Sequence, residues 1–211
     1  MESVLAFDCV TLFFEAKYLI FRFFMLQNIS QFIFFRLMGW KVDVTVEIPK
    51  KCIFSIAPHT SNWDFLVGQL YALTQGVTAG FLMKKEWFFW PLGPLFRSLG
   101  GIPVYRQKNC SLTDVLADTA RESEIFRLAI TPEGTRSLVD TWKRGFYYIA
   151  QKAGIPILLF AIDAQNRTVV CHRMFEPTGD VEADMREIME YYRPYIHRGF
   201  KPHLSKIEEM N

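Results

Sequence analysis

The sequence predicts a single domain of the α/β class, on two observations. Short apolar runs typical of strands alternate along the chain with longer stretches that have helical periodicity. No linker rich in Gly, Ser or Pro and no block of like charge divides the 211 residues. Half of the residues are hydrophobic and 22% are charged, so the chain has ample apolar material for one core.

The first element, residues 1–38, is predicted to be a helical segment that anchors the protein to a membrane. Eight of the 20 Phe residues lie between positions 13 and 35. Charged residues divide the segment into apolar runs shorter than the roughly 18 residues that a transmembrane span needs. Glu2 and Asp8 replace the basic start of a secretory signal peptide, and no small-residue cleavage site follows.

Two helices are predicted within this segment, over residues 4–14 and 18–38. In the second, the spacing of Gln27, Asn28 and Gln31 gathers them on one stripe and leaves a broad face of Phe, Leu and Ile. Such a face favours helices that lie in, or dip into, one leaflet of a bilayer. A helical hairpin packed against the core of the domain is the alternative.

The rest of the chain, residues 39–211, is predicted to form the α/β domain. Alternating or continuous apolar runs predict strands at residues 42–46, 52–57, 78–83, 126–130, 155–162 and 168–171. Helical periodicity predicts helices at residues 65–74, 111–123, 146–153 and 181–192. The last ten or so residues are polar and lack apolar periodicity, so they are expected to fray.

Charge and cysteine content argue against several function classes. The 24 basic and 22 acidic side chains leave a net charge of only +2, which argues against a protein that binds nucleic acid by neutralising phosphates. The four cysteines are widely separated and form no C-x-x-C pair, so neither a zinc site nor a dithiol redox centre is predicted. They are expected to be reduced thiols, as in cytosolic proteins.

The strongest local motif follows the predicted strand at residues 52–57. His59 comes just after this strand, and Asp64 lies at the start of the next predicted helix. Ligands of α/β proteins bind at the ends of strands. An Asp that contacts one imidazole nitrogen would fix the tautomer and leave the other nitrogen free to take a proton from a hydroxyl. The alternative is structural, with His59 in a turn and Asp64 as a helix cap.

A second motif follows the predicted strand at residues 126–130. It contains Glu133, Gly134, Thr135 and Arg136. A glycine flanked by charged and hydroxyl side chains suits a tight loop that offers backbone amides and a guanidinium to a phosphate. An ordinary salt-bridged turn is the alternative.

Together, the two motifs resemble signatures of the lysophospholipid acyltransferase family, whose best-known members make phosphatidic acid from 1-acylglycerol 3-phosphate. His59 and Asp64 match a signature of His, four residues and Asp. Residues 132–137 match a Pro-Glu-Gly-Thr-Arg-Ser signature without a gap. Residues 101–106, which end in Arg106, look like a further signature. The resemblance extends over most of the chain from about residue 39 to residue 163.

The resemblance implies a fold with a mixed, mostly parallel central sheet flanked by helices, the glycerol-phosphate acyltransferase fold. It implies that His59 acts as the general base on the acceptor hydroxyl and that Asp64 orients the imidazole and supports its positive charge. The residues implied in binding the acceptor are Glu133, Gly134, Thr135, Arg136, Arg106 and Lys85.

The resemblance also implies the partners of the reaction. The donor is expected to be acyl-CoA or acyl carrier protein as a co-substrate, the acceptor a lysophospholipid, and no cofactor or metal is expected. Soluble donors and few cysteines favour a peripheral or monotopic position on the cytoplasmic face of a membrane. Three alternatives stay open: the same chemistry on an acylated amino acid or another single-chain lipid, a thioesterase that uses His59 on water, and a non-catalytic membrane-binding module.

Overall fold

The computed structural model describes residues 25–104 and 111–207. Its strands are β1 (Lys41–Val44), β2 (Lys51–Ala57), β3 (Gly80–Lys84), β4 (Gly101–Val104), β5 (Phe126–Ile130), β6 (Ile157–Asp163), β7 (Thr168–Cys171) and β8 (Met174–Phe175). Helix α1 is α-helical over residues 25–31 and continues as a π-helix over Phe32–Leu37. The other helices are α2 (Asn62–Thr74), α3 (Leu92–Ser98), α4 (Leu112–Glu122), α5 (Gly145–Ala153) and α6 (Val181–Tyr192). The short 3₁₀ helices are Lys85–Trp87, Ile196–Arg198 and Pro202–Leu204.

The strands form one sheet in the order β1-β7-β6-β2-β5-β3-β4, and β8 also pairs with β6. Strand β6 is antiparallel to β7 and β8, and every other pairing of the described strands is parallel. The predicted mixed, mostly parallel sheet flanked by helices is therefore confirmed. Because β2, β5, β3 and β4 run in the same direction, the loops that follow them lie at one edge of the sheet.

Helices cover both faces of the sheet because the central strands are apolar on both sides. All seven residues of β6 are buried. In β2, Ile53 and Ala57 belong to a core shared with α4, α5 and α6, whereas Cys52 and Phe54 belong to a second core shared with α1 and α2. Strands buried on both faces have continuous apolar sequences, which explains why β2 and β6 are predictable from the sequence.

Among the strands and α-helices, three are not predicted by the sequence: β4, α3 and β8. Strand β4 contains Gly101 and Pro103, residue types that are unfavourable in strands. Helix α3 has seven residues and includes Gly93 and Pro94, so it lacks a clear helical period. Strand β8 has two residues, too few for any alternation.

Helix α1 packs one face against the domain. Phe34 is fully buried, with its ring 6.4 Å from that of Tyr71. The side-chain amides of Gln27 and Gln31 donate hydrogen bonds of 3.0 and 3.3 Å to the carbonyl oxygen of Thr74, at the end of α2. Two residues of the predicted polar stripe therefore face the domain.

The rest of the α1 surface is largely apolar and exposed. Its exposed large apolar residues are Met25, Leu26, Ile29, Phe32, Phe35 and Leu37. Within residues 25–104 and 111–207, no helix has both the length and the apolar character needed to cross a membrane. The helix predicted at residues 4–14 lies outside the described residues, and the domain boundary at residue 38 stays a prediction.

The prediction that the last ten or so residues fray is wrong for residues 202–207. Pro202–Leu204 form a 3₁₀ helix, and Ser205 is buried. The indole N–H of Trp142 donates a 3.2 Å hydrogen bond to the Lys206 carbonyl oxygen. These contacts join residues that are distant in sequence, so the polar composition of the segment gives no sign of them.

Candidate active site

The loop between β2 and α2 carries the first motif. Ser61 is the N-cap of α2, and its hydroxyl oxygen accepts the backbone N–H of Trp63 at 3.3 Å. The Oδ2 atom of Asp64 accepts the backbone N–H groups of Thr60 at 2.6 Å and Ser61 at 2.7 Å, which completes a capping box. The turn from Thr60 to Asp64 is therefore set by residues that are neighbours in sequence.

This arrangement places the Asp64 carboxylate beside the ring of His59. The Oδ2 atom of Asp64 lies 3.4 Å from the Nδ1 atom of His59. This distance is long for a hydrogen bond, but it is short enough for the carboxylate to stabilise a positive charge on the ring. The Asp64 side chain is 1% exposed and the His59 side chain 20%. The Nδ1 atom is buried, whereas Nε2 is neither buried nor hydrogen-bonded to any described residue.

Glu133 reaches the same loop from the neighbouring strand. Strands β2 and β5 pair in parallel, with Ser55 beside Ile130, so the loops that follow them are adjacent. The Oε1 atom of Glu133 accepts the backbone N–H of His59 at 2.8 Å and the hydroxyl of Ser205 at 3.0 Å. Burial raises the pKa of the Glu133 carboxyl above its ordinary value of 4.5, and these two hydrogen bonds oppose the rise.

Buried polar atoms without hydrogen-bond partners cluster at this site. Among the described residues that are not exposed, the buried side-chain atoms that lack a partner are Nδ1 of His59, Oδ1 of Asp64 and Oε2 of Glu133. The great majority of buried polar atoms in native proteins are hydrogen-bonded, so such a cluster requires an explanation. A buried carboxylate next to an accessible base is an arrangement typical of catalytic centres.

The turn that follows β5 is exposed. Gly134 has a φ angle of +66°, in the left-handed region that favours glycine, and its N–H donates to the Thr131 carbonyl oxygen at 3.0 Å. The hydroxyl oxygen of Thr135 accepts the N–H of Ser137 at 3.4 Å. Arg136 is exposed, and no group in the described parts of the chain is hydrogen-bonded or ion-paired with its guanidinium. This guanidinium is available for an anionic ligand.

Of the two other predicted anion contacts, Lys85 lies within the described residues and Arg106 does not. Lys85 is exposed and begins the 3₁₀ helix that follows β3. Strand β3 is separated from β2 only by β5, so its loop starts roughly 10 Å across the sheet from the loop of His59. Arg106 lies outside the described residues, and its role stays a prediction.

The described cysteines are unsuited to act as nucleophiles. Cys52 and Cys171 are buried free thiols, and burial raises the pKa of each to about 12. Cys9 and Cys110 lie outside the described residues. In the part of the chain that the structure covers, no group of three or more His, Cys, Asp or Glu side chains is placed to hold a metal ion.

Comparison with known proteins identifies the family. Residues 41–163, more than half of the chain, match the family model described as Acyltransferase. The chain belongs to the acyltransferase family. The family and the enzyme class predicted from the two motifs are therefore confirmed.

The fold of this acyltransferase is similar to that of PlsC, the 1-acyl-sn-glycerophosphate (LPA) acyltransferase from Thermotoga maritima. The match has a TM-score of 0.57 at 16% sequence identity, and it covers 89% of this chain and 91% of that one. At this identity the similarity supports the fold. A comparison with curated protein sequences found no match.

One residue of the site, Ser205, is not predicted by the sequence. Its hydroxyl contacts Glu133, although the two residues are 72 positions apart. A single Ser in a polar C-terminal segment belongs to no motif. Only the tertiary structure brings it to the site.

Proposed function

We propose that this acyltransferase moves a fatty-acyl group from acyl-CoA or acyl carrier protein to the free hydroxyl of a lysophospholipid. The proposed acceptor is 1-acylglycerol 3-phosphate, and the product is phosphatidic acid. The observation that carries the proposal is the accessible imidazole of His59, which lies between the buried carboxylate of Asp64 and the Glu133 loop. A base in this position suits the deprotonation of a hydroxyl.

In the proposed reaction, His59 transfers one proton in two steps. Its Nε2 atom accepts the proton of the acceptor hydroxyl as the hydroxyl oxygen attacks the thioester carbonyl carbon. The Asp64 carboxylate, 3.4 Å from Nδ1, stabilises the imidazolium that forms. The tetrahedral intermediate then expels the carrier sulfur, which takes the proton from Nε2. The products are the new ester and the free thiol.

Direct attack by the acceptor is proposed because the described site offers no suitable covalent nucleophile. The sequence contains no G-x-S-x-G motif, and the thiols of Cys52 and Cys171 are buried with raised pKa values. Ser61 is close to His59 in sequence, but its hydroxyl caps α2 and is hydrogen-bonded to neither ring nitrogen of His59.

The phosphate of the acceptor is proposed to bind Arg136, with Lys85 and Arg106 as further contacts. Arg136→Ala is expected to raise the acceptor KM about 10- to 100-fold with little change in kcat, because a hydrogen bond to a charged group contributes roughly 1.5–3 kcal/mol. Steady-state kinetics with varied acceptor concentration measures this effect.

A matched control for Arg136→Ala is Arg186→Ala, which removes an exposed guanidinium from α6. It should leave both kinetic constants unchanged. An equal loss of kcat in Arg136→Ala and His59→Ala, with the acceptor KM unchanged in both, would contradict the assignment of Arg136 to binding and His59 to catalysis.

The reaction itself is tested by incubating the purified protein with a long-chain acyl thioester and 1-acylglycerol 3-phosphate. Acyl-CoA and acyl carrier protein are supplied in parallel, so that the preferred donor is identified. Diacylated product supports the proposal. Free fatty acid as the main product would identify a thioesterase, and product only with an acylated amino acid would change the acceptor. Absence of turnover with every donor and acceptor would overturn the proposal.

Contact with a membrane is proposed because a lipid acceptor has to reach the site from a bilayer. The exposed apolar side chains of α1 support this contact. Trp87, Phe89 and Trp90, which follow β3 at the same sheet edge as His59, are 51%, 54% and 81% exposed. Tryptophan is favoured at the membrane surface. The cytoplasmic face is proposed because the described cysteines are free thiols.

A double variant that places charges on the exposed face of α1, Ile29→Glu/Phe32→Glu, is expected to weaken binding to anionic liposomes at least 10-fold. Each side chain is about half exposed, so a membrane buries about half of each, and the two together contribute about 1.5–3 kcal/mol. The buried face of α1 is unchanged, so Tm should stay the same. Ile125→Glu/Met174→Glu, at two sites of similar exposure, is the control for added charge. Equal binding by both double variants and the wild type would refute the contact through α1.

A further inference from the structure

The C-terminal segment, residues 199–206, lies against the loop that carries His59. The backbone N–H of Lys201 donates a 3.1 Å hydrogen bond to the hydroxyl oxygen of Thr60. The approach at Gly199 is close, because a Cβ atom there would lie 2.9 Å from Thr60 Oγ1 and 3.0 Å from Pro58 Cγ. The segment therefore contacts the residues on both sides of His59.

The same segment contacts the loop that carries Glu133. The Ser205 hydroxyl donates to Oε1 of Glu133 at 3.0 Å, and this oxygen also accepts the backbone N–H of His59 at 2.8 Å. Ser205 and Glu133 are 2% and 1% exposed, so water does not compete for this contact. The Oε1 atom of Glu133 thus joins its own loop to the His59 loop and to the C-terminal segment.

Contacts next to Ser205 keep it in place. The Trp142 indole N–H donates to the carbonyl oxygen of Lys206, and the Lys206 ammonium lies 2.5 Å from a carboxylate oxygen of Asp140. Trp142 is 4% exposed and belongs to the core shared with α4, α5 and α6. The segment is therefore held by the core at Lys206 and contacts the His59 loop at Gly199 and Lys201.

We propose that the C-terminal segment is a positioning element of the active site, with Ser205 as the positioning residue that fixes Glu133 and, through it, the backbone of His59. The inference rests on the proposed function, in which His59 is the base. Without the Ser205 hydroxyl, the Glu133 carboxylate has one fewer buried donor and can rotate away from the His59 N–H. The imidazole then loses its alignment with the acceptor hydroxyl, while the groups proposed to bind the phosphate are unchanged.

Ser205→Ala is expected to lower kcat roughly 10-fold with KM unchanged, since small misplacements of a catalytic group cost up to about 100-fold. Ser205→Cys, which replaces the hydroxyl with a slightly larger thiol that donates weakly, should lie between alanine and the wild type. Thr178→Val is the matched control, because it removes a 2.8 Å hydrogen bond from a hydroxyl to the buried carboxylate of Asp184 outside the site. It should lower Tm without changing kcat.

A measurement that does not depend on turnover accompanies the kinetics. In protein labelled with ¹⁵N-histidine, the ring signals of His59, assigned by their loss in His59→Ala, should shift in Ser205→Ala and stay unchanged in Thr178→Val. This arm separates the two proposals, because an inactive wild type would overturn the proposed reaction while the His59 signals would still test Ser205. Unchanged His59 signals, or a kcat for Ser205→Ala equal to that of Thr178→Val, would overturn the positioning role. Should Ser205→Ala not fold, Ser205→Cys provides the same two measurements.

Discussion

His59→Ala is expected to lower kcat by about 10³- to 10⁴-fold, because a positioned general base contributes up to about that factor. The stability of the protein should change little. The His59 ring is partly exposed, and its closest polar contact is the 3.4 Å approach to Asp64. The Asp64 carboxylate keeps its two hydrogen bonds from the backbone of the loop in the variant. The measurement is the rate of diacylated lipid formation at saturating donor and acceptor, with Tm recorded for both proteins.

The matched control is His172→Ala. The Nε2 atom of His172 lies 2.9 Å from a carboxylate oxygen of Asp43, so this is a second His–Asp contact, on the surface and outside the proposed site. Its loss should leave kcat at the wild-type value. Should His59→Ala keep more than a tenth of the wild-type kcat, His59 is not the base, and the proposed mechanism is wrong.

The local part of the site could be predicted from the sequence because neighbouring residues determine it. Strand β2 is a continuous apolar run, so its end, and with it the place of His59, is visible in the sequence. Ser61 and Asp64 have the spacing of a capping box, and the structure shows that box at the start of α2. The 3.4 Å contact between His59 and Asp64 follows from that turn.

The contacts of Glu133 could not be predicted, because they depend on how distant segments pack. The sequence places Glu133 in a loop after a strand, but it does not show that β5 pairs with β2. That pairing brings Glu133 to the backbone of His59, 74 positions away. The contribution of Ser205 depends in turn on the packing of the C-terminal segment against Trp142, which no periodicity reveals.

Helix α1 shows a second limit of sequence patterns. The periodicity of Gln27 and Gln31 predicts that they share a face, but it does not say what that face contacts. Both amides donate to the carbonyl oxygen of Thr74, one of the carbonyls at the end of α2 that have no partner within the helix. These two amides therefore contact the domain beside the buried Phe34, while several large apolar side chains of α1 stay exposed.

Asp64→Asn is expected to lower kcat by about 10³-fold while the protein stays folded. The amide oxygen of Asn can accept the backbone N–H groups of Thr60 and Ser61 as the carboxylate does, so the cap of α2 is kept. The negative charge is lost, however, and an imidazolium at His59 loses its support. The acceptor KM should be unchanged. Asp64→Ala also removes the hydrogen bonds that Asp64 accepts in the capping box and should cost roughly 1–2 kcal/mol of stability in addition.

Asp184→Asn is the matched control for Asp64→Asn. It shows whether the loss of any buried carboxylate charge lowers kcat, or only the loss of the charge beside His59. Asp184 is as buried as Asp64, and its carboxylate accepts the hydroxyls of Tyr147 at 2.7 Å and Thr178 at 2.8 Å, outside the proposed site. Its replacement should lower Tm and leave kcat unchanged. If both Asn variants lost kcat to the same extent, the effect would come from destabilisation. A kcat lost only in Asp64→Asn, with Tm near the wild-type value, is the result expected when the Asp64 carboxylate stabilises the positive charge on His59 during proton transfer.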